Sequence, residues 1–92
     1  MARGLRIWGF TDEERRVLVV AAREIPHLRA VLDRAVPRPD LAEDLLLVQA
    51  TFVELDEMYS LVDALMDRTR SRRRLELLDG LLASLCSAID GF

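Results

Sequence analysis

The chain has 92 residues, of which 51% are hydrophobic and 32% charged, and its formal net charge is −3. That length bounds it to one domain that buries roughly 60–65% of the surface its unfolded chain exposes. Four Gly, three Pro and a half-apolar composition exclude a low-complexity or generally disordered chain.

Residues 1–10, MARGLRIWGF, read as an arm in which Ile7, Trp8 and Phe10 cover a helical core around Gly9. Thr11 followed three residues later by Glu14 is a capping box, so a helix is expected to start at Asp12 or Glu13. Leu18, Ala21, Ile25, Leu28, Leu32 and Ala35 then recur at intervals of three and four. The stripe runs through Pro26, which favours two closely aligned helical pieces or one helix kinked there, a bend being preferred to a complete break. Val36-Pro37-Arg38-Pro39 stops any regular helix, and Asp40 is the candidate cap of the next one.

Leu41, Leu45, Val48, Phe52, Leu55, Tyr59, Val62 and Met66 hold a heptad phase, which predicts a single long helix of roughly 26 to 29 residues. The phase fails across Arg68-Thr69-Arg70-Ser71, the expected turn. Leu75, Leu78, Leu82, Leu85 and Ile89 resume it in a helix from Arg72 to near Ile89, with Ser71 as its cap. The seventeen Leu residues, set against few β-branched and aromatic ones, favour helix packing over strands. The expected fold is therefore all-α: a small helical bundle with a kinked N-terminal helix and a long C-terminal αα-hairpin, residues 11–92 forming one domain behind the arm. Gly80 inside the last helix is explained either by a close helix crossing or by simple tolerance.

Familiar chemistries lack their first requirements. A single His27 and a single Cys86 do not make a tetrahedral metal site, and no Glu-x-x-His or His-Glu-x-x-His pair occurs. There is no Walker sequence and no dinucleotide glycine fingerprint. Asp63 and Asp67 share a helix face, which reads as a solvated acidic surface, and Cys86 among leucines reads as a buried or interface thiol. No catalytic residue is assigned, and neither a cofactor nor a metal is expected.

The order of charges says more than their sum. Residues 40–67 carry eight acids and no base, whereas residues 68–74 carry five Arg and no acid. All 13 basic residues are Arg, a usage that suits GC-rich coding and a bacterial-like composition and supplies guanidinium groups fit for bidentate contacts. Arg68, Arg70, Arg72, Arg73 and Arg74 are the candidate partner-binding residues, toward an acidic protein surface. Nucleic acid is not the expected partner, because a duplex binder needs a broader basic face.

A short chain with broad apolar stripes points to self-association as a homodimer through Leu45, Phe52, Tyr59 and Leu82. The expected role is a protein-interaction, assembly or regulatory module. The alternative is a small helical enzyme holding an anionic metabolite, which convergence of two Arg with Glu54 or Glu57 in a concave pocket would favour. One unpaired cysteine and the lack of a sustained apolar run imply a cytoplasmic, non-membrane chain.

Overall fold

The computed structural model describes residues 5–90. Two seven-residue strands and a short edge strand, which falls between them in sequence only, form an antiparallel sheet. β1 (Leu5–Thr11) pairs with β3 (Leu45–Thr51), and β3 pairs on its other side with β2 (Val36–Pro37), giving the order β1-β3-β2. Four helices pack on this sheet: α1 (Asp12–Ala21), α2 (Pro26–Asp33), α3 (Phe52–Arg68) and α4 (Arg72–Asp90). The expected all-α bundle, with its heptad-phased hairpin, is thereby corrected to a mixed α/β fold with a three-stranded antiparallel sheet.

The correction falls mainly on residues 41–51. Their heptad spacing was real but ambiguous, because a continuous run such as Leu45-Leu46-Leu47-Val48 suits a strand as well as a helix. The strand wins because β1 is rich in strand-forming residues and needs a ladder partner: Ile7, Trp8 and Phe10 face Gln49, Val48 and Leu46 across it. The long helix expected from Leu41 starts only at Phe52. Thr51 caps it, accepting from the Glu54 backbone N–H at 3.1 Å while Glu54 accepts from the Thr51 N–H at 2.9 Å. Asp40 caps no helix and instead takes a fork of two hydrogen bonds from Arg38, at 2.9 and 2.7 Å.

The first helix is also divided rather than bent. α1 closes at Ala21, four residues intervene, and Pro26 opens α2 at its first position, where its missing N–H costs nothing. The capping box at Thr11 and Glu14 forms as expected, α4 runs from Arg72, and Ser71 Oγ accepts from the Arg74 N–H at 3.3 Å. The segment read as an arm is strand from Leu5 onward; Met1 to Gly4 lie outside the described residues.

The chain repeats a strand–helix–helix unit. Thr11 and Thr51, forty positions apart, end the two paired strands and open α1 and α3 with the same box. Buried residues recur with the same offset: Trp8 and Val48, Phe10 and Ala50, Leu18 and Met58, Ala22 and Val62. Because β1 and β3 are antiparallel and centred on the Trp8–Val48 pair, a local two-fold relates the beginnings of the two units.

All four helices share one core. Trp8, Phe10, Leu46, Val48 and Ala50 present it from the sheet, and Leu18, Leu28, Leu32, Leu55, Met58, Val62, Leu78, Leu81 and Leu85 from the helices. Trp8 Nε1–H donates to Ser84 Oγ at 3.0 Å, which satisfies the single polar atom of a fully buried indole. Gly80 is not at a close crossing: a Cβ there would meet only Glu14 Oε2, at 3.8 Å. Cys86, read as a buried or interface thiol, is not buried within the chain.

Candidate functional site

Alternation along the strands gives the sheet two unlike faces. Trp8, Phe10, Leu46, Val48 and Ala50 are buried under the helices, while Leu5, Ile7, Gly9, Leu45, Leu47 and Gln49 point the other way. Among the described residues no helix covers this second face, and it is largely apolar: Leu5 is 41% exposed, Ile7 63% and Val36 57%. Gly9 keeps it low, for a Cβ there would stand 2.9 Å from Leu47 Cδ2 and 3.4 Å from Leu45 Cδ1. With two seven-residue strands and a short third, the face projects roughly 300 Å², the scale of the largest apolar patches on single chains, which commonly mark contact surfaces.

A hollow of about 640 Å³ opens on this face, floored by Leu5, Ile7, Val36 and Leu47 and walled by Arg34, Arg38, Gln49 and Glu54. Arg34 donates to Glu54 Oε1 at 3.1 Å and to the Gln49 carbonyl at 2.9 Å. Burial works against ionisation of Glu54, but the Arg34 guanidinium and the Thr51 N–H together hold its carboxyl below the usual carboxylate value. The hydrogen bonds from Arg38 likewise hold Asp40 below it. Each guanidinium at the hollow thus has its own carboxylate, and these four side chains carry no net charge.

The second surface lies at the α3–α4 turn. Arg68, Arg70, Arg72, Arg73 and Arg74 are all exposed there. Among the described residues the turn makes one ion pair, Arg73 with Glu13, at a loose 3.8 Å. Beside it is a hollow of about 330 Å³ walled by Val17, Val20 and Ala21 of α1, Leu65 of α3 and Leu78 of α4, with Arg16, Thr69 and Arg74 completing its lining. A smaller one of about 250 Å³ adjoins it through Val17 and Arg74 and reaches Glu13, Ser71 and Leu77.

Of the residues expected at a self-association surface, Leu45 lies on the open sheet face and Phe52 is exposed at the first turn of α3. Tyr59 and Leu82 are half-buried against the core. Tyr59 lies beside Cys86, which together with partial burial and Asp63 pushes its phenol above the ordinary value. His27 bonds to Glu57, joining α2 to α3 on the outside. Leu5, Ile7, Val36 and Leu47 of the sheet, and Val17 and Val20 of the turn hollow, escaped the sequence reading, which placed Leu5 and Ile7 in an arm, Val36 in a stop signal and Leu47 in a long helix, and gave Val17 and Val20 no role. The signal that finds them is the second Thr-x-x-Glu box at Thr51, which ends a strand where the heptads imply helix.

Among the described residues no group of three or more His, Cys, Asp or Glu side chains converges as metal ligands, and no helix is long and apolar enough to cross a membrane. No family model, curated protein or solved structure matches the chain.

Proposed function

We propose that the chain is a protein-interaction module that meets a second copy of itself across the open sheet face and an acidic partner at the Arg-rich turn. The observation that carries the first contact is a sheet face that no described helix covers, where the aliphatic Leu5, Ile7 and Val36 are exposed beside the polar Gln49. Charge supports a second copy as the occupant. The chain is net negative, yet Arg34 with Glu54 and Arg38 with Asp40 neutralise this rim, so two copies approach here without mutual repulsion. About 300 Å² of projected sheet is well short of the roughly 800 Å² per partner of a standard interface. The contact is accordingly weak, with an expected Kd of about 1–100 μM.

Ile7→Asp tests it, because the side chain is on the far side of the sheet from the core and the variant keeps its fold. Light scattering with a concentration series should give a rising mass for the wild type and a constant monomer mass for the variant. A wild type that stays monomeric throughout that range refutes self-association at this face.

The anionic-metabolite reading draws on the same hollow, since Arg34, Arg38 and Glu54 do converge there. Its weakness is electrostatic: both guanidiniums are already matched by carboxylates, so an anion finds no excess positive charge. Saturable binding of inorganic phosphate, abolished by Arg34→Gln, would favour it over the protein contact.

A further inference from the structure

We infer that the partner at the Arg-rich turn is an acidic amphipathic helix of another protein, anchored by an aliphatic side chain in the hollow between α1 and the α3–α4 turn. This rests on the acidic-partner reading above and adds the apolar anchor. Val20, at 65% exposure, is the most solvent-exposed large aliphatic residue among those described, and it lines this hollow with Val17, Leu65 and Leu78. The adjoining smaller hollow continues the depression along α1 from Ala21 back to Glu13. Eight residues of helix rise about 12 Å, a little over two turns. That is the length over which a docked helix presents two anchors at i and i+4 or i+7.

Charge selects the sign of the partner. Arg68, Arg70, Arg72 and Arg74 have no acidic side chain within 4.0 Å among the described residues, and Arg73 has only its loose contact with Glu13. Three of the five occupy the first turn of α4, which contains no acid. Cations there are unfavourable twice over, against one another and against the positive end of the helix dipole, although the neighbouring C-terminus of α3 offsets part of the second effect. A carboxylate-bearing helix laid in the groove relieves both while its apolar side chain covers Val20. An acidic chain without an anchor leaves Val20 exposed, and an apolar helix without acids leaves the arginines unmatched.

The test uses the full chain in the Ile7→Asp background, so that self-association does not enter. The probe is a fluorescent helical peptide of about 14 residues with Glu on one face and Leu on the other, alongside a control with Ser at the Leu positions. The Leu peptide should bind with amide shifts at Val17, Val20 and Leu78. Its affinity should fall about tenfold on Leu→Ser, and similarly on Arg70→Gln, Arg73→Gln and Arg74→Gln combined or on raising salt to about 0.5 M. Val20→Ser, at an exposed position, should weaken the Leu peptide and leave the Ser control unchanged. Equal binding of the two peptides overturns the anchor and leaves the acidic-partner reading standing; binding of neither overturns both. Tighter binding to phosphatidylserine vesicles or to duplex DNA, titrated in parallel, refutes a protein helix as the occupant.

Discussion

Glu54 couples the second capping box to the rim of the open sheet face, and replacing it separates the two contributions. Its Oε1 accepts from the Thr51 N–H at 2.9 Å and from Arg34 at 3.1 Å, with a longer contact of 3.4 Å from Arg34 to Oε2. Glu54→Gln keeps one oxygen as acceptor for the Thr51 N–H and removes the charge together with the longer Oε2 contact to Arg34. The Arg34 side chain is 45% exposed and that of Glu54 23%, so solvent screens the pair and the expected loss is about 0.5–1 kcal/mol. Glu54→Ala also removes the cap contact, for a total of about 1.5–2 kcal/mol. In a domain of this size each kcal/mol lowers Tm by about 4–8 °C.

The pH dependence fixes the cause. Because the folded carboxyl titrates below its ordinary value of 4.5, the unfolded chain binds more protons in that window. The charge contribution is complete above 4.5 and is lost as pH falls through the folded value. Urea unfolding at pH 7 and at about pH 3 should therefore show a gap between wild type and Glu54→Gln that shrinks in acid. Asp40, which also titrates low, destabilises both proteins alike and cancels in the difference. A gap of equal size at both pH values, or none at pH 7, would refute the charge assignment.

Leu55 is fully buried and Leu82 half-buried, so their Asp variants should differ. Leu55→Asp is expected to remove at least about 4 kcal/mol and abolish the cooperative transition, while Leu82→Asp costs about 1–2 kcal/mol and leaves a folded chain; circular dichroism during urea titration distinguishes them. Gly80→Ala should stabilise by about 0.5–1 kcal/mol, since Gly80 is exposed in a helix interior and its new Cβ meets only Glu14 Oε2 at 3.8 Å. A lower denaturation midpoint for that variant would mean that the helix needs its glycine.

The helical parts of the fold were legible where local chemistry and periodicity agreed. Thr11 with Glu14 located the start of α1, and the loss of phase after Met66 located the turn before α4. The sheet was not legible because its information is non-local. Nothing within Leu45-Leu46-Leu47-Val48 distinguishes strand from helix until Trp8 and Phe10 are placed opposite it. Pro26 was read as a bend because the stripe continues beyond it, yet Leu28, Val31 and Leu32 reach the same core from a separate helix. The Arg-rich turn was visible as a charge run, but its apolar neighbour was not, since Val17 and Val20 come from a helix some fifty residues earlier in the chain.

The two surfaces differ in how their side chains are supported, and that bears on what each contact demands. On the sheet, Ile7 and Leu47 project from a ladder whose opposite side is fixed by Trp8, Phe10 and Val48, all nearly or fully buried. A braced face of this kind would need little rearrangement to be covered, so the weakness of the proposed self-contact would come from small area rather than from ordering cost. At the turn, long exposed Arg side chains must each lose rotamer freedom when matched, a cost of about 0.5–1.5 kcal/mol apiece, which exposed ion pairs worth about 0.2–1 kcal/mol do not reliably offset. Charge would therefore select and steer the proposed partner, and add no more than about the tenfold in affinity expected to be lost in the triple Arg variant. The aliphatic walls supplied by Val17, Val20, Leu65 and Leu78 would provide the larger favourable part in the proposed complex, because burying one Leu-sized side chain contributes about 1.5–3 kcal/mol and requires no ordering of the arginines.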